Sequence, residues 1–184
     1  MTIEELAIAG VLRITPRRFS DDRGWFSETH NDKALKAHGL DVAFVQDNQS
    51  FSAKAGTIRG FHLQKPPHAQ AKLVRCIRGG IIDLAVDVRR GSSTYGKWVA
   101  EELSPETGRQ LFIPAGFLHA FITLEAKTEV AYKVSDFYAP DCEAGVRWDD
   151  PTIAFPWAVP PGGPFLSAKD AIHPHLSDFQ SPFA

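Results

Sequence analysis

Cysteine and net charge are both scarce in this sequence, and each shortage excludes a class of protein. Only two cysteines occur among 184 residues, Cys76 and Cys142, and they form no C-x-x-C pair. We therefore expect two reduced, largely buried thiols rather than a disulfide framework. The formal net charge is −2. Because acidic and basic residues are interspersed, no broad surface for nucleic acid or for an anionic membrane is expected.

Signals for export or membrane insertion are also missing. The first residues, MTIEELAIAGVL, lack the basic start and the apolar run of a signal peptide. No apolar stretch is long enough to cross a membrane as a helix. These features predict a cytoplasmic protein, and a hydrophobic fraction of 43% is enough for one compact domain over residues 1–184.

Short β-type runs make up most of the chain. Thirteen prolines and fourteen glycines separate runs rich in Val, Ile, Phe, Thr and Tyr, a pattern typical of an all-β sandwich or barrel. The candidate strands are Val11–Pro16, Trp25–Thr29, Phe44–Ser52, Thr57–Leu63, Lys72–Ile77, Ile81–Val88, Gly96–Leu103, Arg109–Ile113, Leu118–Leu124 and Thr128–Ser135.

Local signals add three further elements to this β pattern. One short helix is predicted over Asn31–His38, with Asn31 or Asp32 as its cap and Gly39 at its end. The glycines of Arg78–Gly80 predict a tight hairpin between two neighbouring antiparallel strands. The C-terminal quarter is rich in proline and aromatic residues, which predicts an irregular C-terminal wrap over the barrel.

Two segments match the two cupin motifs, except at the metal positions. They span residues 56–79, which contain His62, and residues 108–119, which end at His119. In metal-dependent cupins the first motif supplies two histidines and a glutamate and the second supplies a third histidine; alternate strand residues share a face, so these ligands converge. Here Gln64 replaces the second histidine and no glutamate follows. Two of the four metal ligands remain, so we expect neither a metal nor a cofactor. The alternative that His68 acts as a displaced metal ligand stays open.

Ordered segments along the chain carry a more specific resemblance. DDRGWFSE, QDNQS, TIRGFHLQ, QAKLVRCIRGGIIDLAVDVRRGSSTYG, FIPAGFLHAF, VAYKVSDFYAPDCE, RWDDP and LSAKD resemble, in this order, the dTDP-4-dehydrorhamnose 3,5-epimerase family. The resemblance covers the chain from about Asp21 to Pro174. It implies a cupin jelly-roll β-barrel, a homodimer built by strand exchange, and a nucleotide-sugar substrate. The implied reaction is the isomerisation of dTDP-4-dehydro-6-deoxy-D-glucose to dTDP-4-dehydro-L-rhamnose in dTDP-L-rhamnose biosynthesis.

The chemistry of such a reaction defines the catalytic groups that are needed. Hydrogens on the carbons beside a ketone are acidic, so inversion requires a base on one face, an acid on the other and a stabiliser for the enolate oxygen. The resemblance implies that His62 is the base and that Asp170 orients it as a dyad partner. It also implies that Tyr132 is the proton donor and that Lys72 stabilises the enolate.

The resemblance further implies a set of substrate-binding residues. Basic side chains suit the diphosphate and an aromatic side chain suits the thymine ring, which is the role implied for Tyr138. His119 is implied to contact the substrate near the enolate oxygen. The full set is Arg23, Phe26, Glu28, Gln46, Asn48, Arg59, His119, Tyr138, Glu143 and Lys169.

One feature of the sequence does not fit a regular strand, and several functions stay open. Arg59 and His62 are three residues apart, so strict alternation would place them on opposite faces, unless Gly60 allows a bulge that turns both inward. The alternatives to a 3,5-epimerase are an enzyme that inverts only carbon 3 or only carbon 5, a metal-dependent cupin, and a cupin module that binds without catalysis.

Overall fold

The computed structural model describes all 184 residues, which form thirteen strands and one α-helix. The ten predicted strands are present with ends within two residues of the prediction, whereas the first, third and last strands were not predicted. The strands are β1 (Thr2–Glu5), β2 (Leu12–Thr15), β3 (Arg18–Asp21), β4 (Gly24–Ser27), β5 (Gln46–Ser52), β6 (Ile58–Gln64), β7 (Lys72–Arg78), β8 (Ile81–Asp87), β9 (Trp98–Leu103), β10 (Gln110–Ile113), β11 (Phe117–Thr123), β12 (Thr128–Val134) and β13 (Glu143–Gly145).

The strands form two antiparallel sheets and a separate two-stranded hairpin. One sheet has the order β1-β2-β10-β7-β12-β5, and the other has the order β13-β6-β11-β8-β9. Strands that are distant in sequence lie next to each other, as β6 and β11 do, which is the jelly-roll arrangement. Apolar side chains from both sheets, among them Val74, Leu111, Phe121 and Val130, form the core between them. The all-β jelly-roll prediction is therefore confirmed.

A helix and the C-terminal segment cover the outer faces of the sheets. Helix α1 (Asp32–Ala37) is capped by Asn31, whose side chain accepts a hydrogen bond from the backbone N–H of Ala34. Its buried Leu35 packs with Leu73 on the six-stranded sheet. The C-terminal segment covers the five-stranded sheet, where Trp157 packs on Phe61. No helix has the length and apolar character that crossing a membrane requires.

The predicted hairpin at Arg78–Gly80 is wrong. The turn exists, and Gly79 has the positive φ (73°) that glycine accepts readily. However, β7 pairs with β10 and β12, whereas β8 pairs with β9 and β11. The turn therefore carries the chain from one sheet to the other. Local residues specify a turn, but the burial of the strands on either side decides which sheet each one joins.

Candidate active site

A cavity of about 330 Å³ opens between the two sheets. Strand residues from both sheets and residues of the loops at one end of the barrel surround it. The lining residues are Gln46, Asn48, His62, Leu63, Gln64, Gln70, Lys72, Tyr132, Tyr138 and Glu143. Seven of these belong to the fourteen residues that the resemblance implied, so the fold brings half of the predicted site to the walls of one cavity.

The three groups suited to acid–base chemistry enter this cavity from opposing sheets. His62 belongs to β6 in the five-stranded sheet, whereas Lys72 and Tyr132 belong to β7 and β12 in the six-stranded sheet. In the pairing of β7 with β12, Tyr132 is opposite Val74, a core residue. Because directly paired residues share a face, Tyr132 points inward with Val74. A molecule in the cavity would therefore have His62 on one side and Tyr132 on the other.

A bulge in β6 turns both Arg59 and His62 toward the interior. His62 pairs with His119 and Arg59 pairs with Phe121, so three steps along β6 match two steps along β11. The inserted position contains Gly60, which has a φ of 114°. A Cβ atom there would lie 2.3 Å from the backbone oxygen of His119. Glycine is thus required at this position, and the bulge that the sequence suggested is confirmed.

Burial and charge leave the imidazole of His62 neutral. The ring opens into the cavity but lies deep in the fold. Burial holds the pKa of His62 well below its ordinary value of 6.5, and the positive charge of Lys72 lowers it further. A neutral imidazole can accept a proton. His62 makes no hydrogen bond to another side chain, so its ring remains free for a bound molecule.

The same buried environment shifts the pKa values of Lys72 and Tyr132. Lys72 is 7% exposed, and burial lowers its pKa to about 8, although the charges of Asp83 and Glu143 oppose this change. Burial raises the pKa of Tyr132 above its ordinary value of 10, against the effect of the nearby Arg59. At neutral pH the cavity therefore holds a protonated phenol and an ammonium group whose charge is easily lost.

Asp83 is a buried carboxylate that the sequence analysis missed. It is fully inaccessible to solvent on β8, and its Oδ1 shares a hydrogen bond of 2.7 Å with Nε2 of His119. Burial raises the pKa of Asp83 well above its ordinary value, and the charge of Lys72 opposes the rise. The available signal was an acidic residue inside the apolar run IIDLAVD, because a buried carboxylate requires a partner.

His119 does not line the cavity. Its ring lies 6.0 Å from that of His62, centroid to centroid, and is 2% exposed. Nε2 is bonded to Asp83, and Nδ1 is buried with no partner. The cross-strand position opposite His62 places this ring beneath the base. The substrate contact implied for His119 thus has no direct geometric support.

Asp170 is not joined to His62 by a hydrogen bond or an ion pair. The carboxylate is buried, accepts a hydrogen bond from the Ser167 hydroxyl at 2.8 Å, and follows a turn in which its own N–H donates to that hydroxyl. Burial lowers the pKa of the neighbouring His173, and the charge of Asp170 opposes this change. The structure therefore shows no direct contact between Asp170 and His62, and the dyad stays a prediction. The short Ser-x-x-Asp turn satisfies this carboxylate locally instead.

The mouth of the cavity carries polar and aromatic groups from the loops. Tyr138 is 57% exposed, and its hydroxyl donates to Glu143 at 2.9 Å. Glu143 also forms an ion pair with Lys169. Burial alone would raise the pKa of Glu143, but the hydrogen bonds from Lys169 and Tyr138 lower it below the ordinary value. Beside Tyr138, the side-chain amide of Gln46 donates to Asn48 at 2.8 Å.

Three residues of the predicted site lie away from this cavity. Arg23 and Phe26 belong to the β3–β4 hairpin, where Arg23 pairs with Asp21 and Phe26 is 69% exposed. Glu28 follows the hairpin and borders a depression on the outer face of the six-stranded sheet. Strand patterns in the sequence could not show this separation, because the hairpin is hydrogen-bonded to no strand of either sheet.

The motif positions that hold metal in other cupins have different partners here. The structure contains no group of three or more His, Cys, Asp or Glu side chains that could hold a metal ion. Gln64 is bonded to backbone groups of two loops. His68 is exposed and lies beside Asp136, 3.2 Å away, so it is no displaced ligand within the cavity.

Relatives of known identity match the chain along its length. The family model described as dTDP-4-dehydrorhamnose 3,5-epimerase matches residues 5–178. A dTDP-4-dehydrorhamnose 3,5-epimerase from Sinorhizobium fredii is 50% identical over 184 residues, which cover 100% of this chain and 93% of that protein. The chain belongs to the dTDP-4-dehydrorhamnose 3,5-epimerase family.

Solved structures of dTDP-4-dehydrorhamnose 3,5-epimerases share the fold closely. The enzyme from Bacillus anthracis, with TDP and PPi bound, is 46% identical with a TM-score of 0.92, and the match covers 95% of this chain and 99% of that one. The enzyme from Legionella pneumophila, in complex with dTDP-4-keto-L-rhamnose, is 38% identical with a TM-score of 0.92, covering 97% and 94%. These similarities confirm the predicted family and the cupin fold of this member.

Proposed function

We propose that this chain inverts carbons 3 and 5 of dTDP-4-dehydro-6-deoxy-D-glucose and so forms dTDP-4-dehydro-L-rhamnose for dTDP-L-rhamnose biosynthesis. One observation carries the proposal: His62 and Tyr132 enter one cavity from opposing sheets. Inversion removes a proton from one face of a carbon and returns a proton to the other. A base and an acid on opposite sides of a bound sugar are what this reaction requires.

In the proposed mechanism the protonation states of His62, Lys72 and Tyr132 suit proton removal and proton return. His62 is neutral and free of side-chain partners, so it takes the proton from the carbon beside the ketone. The ammonium of Lys72 stabilises the negative oxygen of the enolate, an interaction that burial strengthens. Tyr132, whose pKa is raised, keeps its proton until the carbanion takes it from the opposite face.

The test is incubation with dTDP-4-dehydro-6-deoxy-D-glucose in heavy water, followed by mass analysis. Two incorporated deuterons are expected from a 3,5-epimerase, and one deuteron would favour an enzyme that inverts a single carbon. His62→Ala should abolish both deuterium exchange and inversion, because no enolate forms. Tyr132→Phe should retain exchange while inversion falls by roughly 10²–10⁴-fold. Inversion by Tyr132→Phe at the normal rate would contradict the assignment of the acid.

A homodimer built by strand exchange, located in the cytoplasm, is part of the same proposal. The β3–β4 hairpin supports it, since Phe19, Trp25 and Phe26 are 49%, 58% and 69% exposed. Exposed aromatic side chains on one element are typical of a protein interface. If the hairpin reaches a second copy, Arg23 and Phe26 serve the cavity of the partner rather than their own.

Mixed dimers test this arrangement. Arg23→Ala and His62→Ala should each lower activity strongly when assayed alone. When the two variants are refolded together, half of the dimers are mixed, and each mixed dimer has one intact cavity, so activity should return to roughly a quarter of the wild-type value. If mixing restores nothing, Arg23 does not serve the partner's cavity.

A further inference from the structure

The side chain of Gln64 makes three hydrogen bonds to backbone groups at the cavity mouth. The residue is 4% exposed at the end of β6. Its Nε2 donates to the carbonyl oxygens of His68 (2.7 Å) and Phe137 (3.1 Å), and its Oε1 accepts from the N–H of Ala139 (2.8 Å). Both donors and one acceptor of the amide are therefore used.

These bonds hold the backbone on both sides of Tyr138. The segment from Phe137 to Ala139 belongs to no strand or helix. Further hydrogen bonds restrain it as well: the N–H of Tyr138 donates to Oε1 of Gln46 (3.2 Å), the Tyr138 hydroxyl donates to Glu143 (2.9 Å), and the N–H of Phe137 donates to Asp136 (2.7 Å). The ring of Tyr138 is largely exposed and lines the cavity. Its orientation therefore depends on the hydrogen bonds with Gln64, Gln46 and Glu143 rather than on packing.

Glutamine is the side chain that fits this arrangement. Two carbonyl oxygens are paired with donors and one N–H with an acceptor, all within reach of a single side chain. A glutamate has the same length but no donor when ionised, so it would face the carbonyl oxygens of His68 and Phe137 unfavourably. A histidine at this position would offer one donor and one acceptor. Loss of any of these bonds removes a restraint on the backbone beside Tyr138.

We propose that Gln64 is a positioning residue that fixes Tyr138 for contact with the planar base of the nucleotide, and so sets nucleotide affinity rather than the rate of proton transfer. This inference rests on the proposed function, since it takes a thymine base as the partner of Tyr138. It also gives a role to the strand position that departs from the metal-cupin motif.

Calorimetric titration with dTDP measures the effect separately from catalysis. Gln64→Glu and Gln64→Met both keep the size of the side chain, and each removes the donors. Because stacking of a base on an aromatic ring contributes about 1–3 kcal/mol, we expect the dissociation constant to rise about tenfold. For the uncharged variant Gln64→Met, the dissociation constant should rise by a larger factor than the rate of deuterium exchange at saturating substrate falls, since the proposed loss is one of binding.

The matched control is Gln49→Ala, which changes an exposed glutamine of β5 whose side chain donates to Glu129. This variant should bind dTDP like the wild type. Combining Gln64→Met with Tyr138→Ala gives a double-mutant cycle. If Gln64 acts through Tyr138, its substitution should weaken dTDP binding little once the ring is gone.

Each outcome of these titrations decides between named alternatives. If the wild-type protein binds no dTDP, the proposed function fails. If the wild type binds dTDP and both Gln64 variants bind it equally well, the positioning role alone is wrong. Equal losses with and without the Tyr138 ring would also overturn the inference. Thermal unfolding of each variant identifies which of the two substitutions leaves the fold intact, and either one is sufficient for the comparison.

Discussion

Lys72 should set the alkaline limit of the reaction. Burial lowers its pKa from 10.5 to about 8, so its charge is lost within the range of an ordinary pH profile. At pH 9 a lysine with a pKa of about 8 is roughly nine-tenths neutral, whereas an unperturbed lysine would still be charged. If the ammonium stabilises the enolate, the rate should be constant near pH 7 and fall about tenfold for each unit above pH 8.

The other two groups of the mechanism do not titrate in this interval. The pKa of His62 lies well below 6.5, so the base is already neutral at pH 7 and limits the rate only on the acid side. The pKa of Tyr132 is raised above 10, so the phenol keeps its proton beyond the range where Lys72 loses its own. The alkaline limb therefore reports on Lys72.

The assay is deuterium exchange into the substrate, measured from pH 6 to pH 10 at saturating substrate. Lys72→Met should slow exchange by roughly 10²–10³-fold and abolish the alkaline limb. Asp83→Asn should move the limb to lower pH, because the charge of Asp83 raises the pKa of Lys72. A wild-type rate that stays constant up to pH 10 would refute the role of Lys72. A limb that does not move in Asp83→Asn would refute the electrostatic link between Asp83 and Lys72.

Two further predictions concern substrate binding and metal. Arg59→Ala should raise KM strongly, because the bulge puts Arg59 on the same face of β6 as His62 and its charge acts on Tyr132, although its guanidinium donates to the carbonyl of Phe51 in this structure. Higher salt should raise KM more than it lowers kcat, because charge attraction to the diphosphate is screened. An unchanged KM in Arg59→Ala would mean that Arg59 acts elsewhere. Dialysis against a strong chelator should leave the rate unchanged, and activity that is lost and then restored by iron, zinc or manganese would favour a metal-dependent cupin.

The sequence predicts the strands well but not their partners. Alternation and turn residues are local, and they locate ten strands to within two residues. The Arg78–Gly80 turn shows the limit of such signals, since Gly79 and Gly80 predict the bend correctly although β7 and β8 join different sheets. Pairing depends on which apolar faces are buried together, and that is decided by distant segments.

The residues of the candidate site also divide into strand residues that reach the cavity and a turn residue that has a local partner. His62, Lys72 and Tyr132 are strand residues, and the jelly roll brings all three to one cavity. Asp170 lies in a turn, where Ser167 provides a nearer partner than His62 does. Asp83 stands out as an acidic residue in an apolar strand, but its partner His119 belongs to the paired strand β11, which local sequence does not identify.

The cupin motif positions explain why His62 in particular is suited to act as the base. Three strand positions correspond to metal ligands in metal-dependent cupins, and in this chain each has a different environment. The amide of Gln64 is bonded to three backbone groups. Nε2 of His119 is hydrogen-bonded to Asp83, and its Nδ1 is buried without a hydrogen-bond partner. Only the ring of His62 opens into the cavity without a side-chain partner. Since a base must reach the proton that it removes, His62 is the one residue of the three that can take it from a bound sugar.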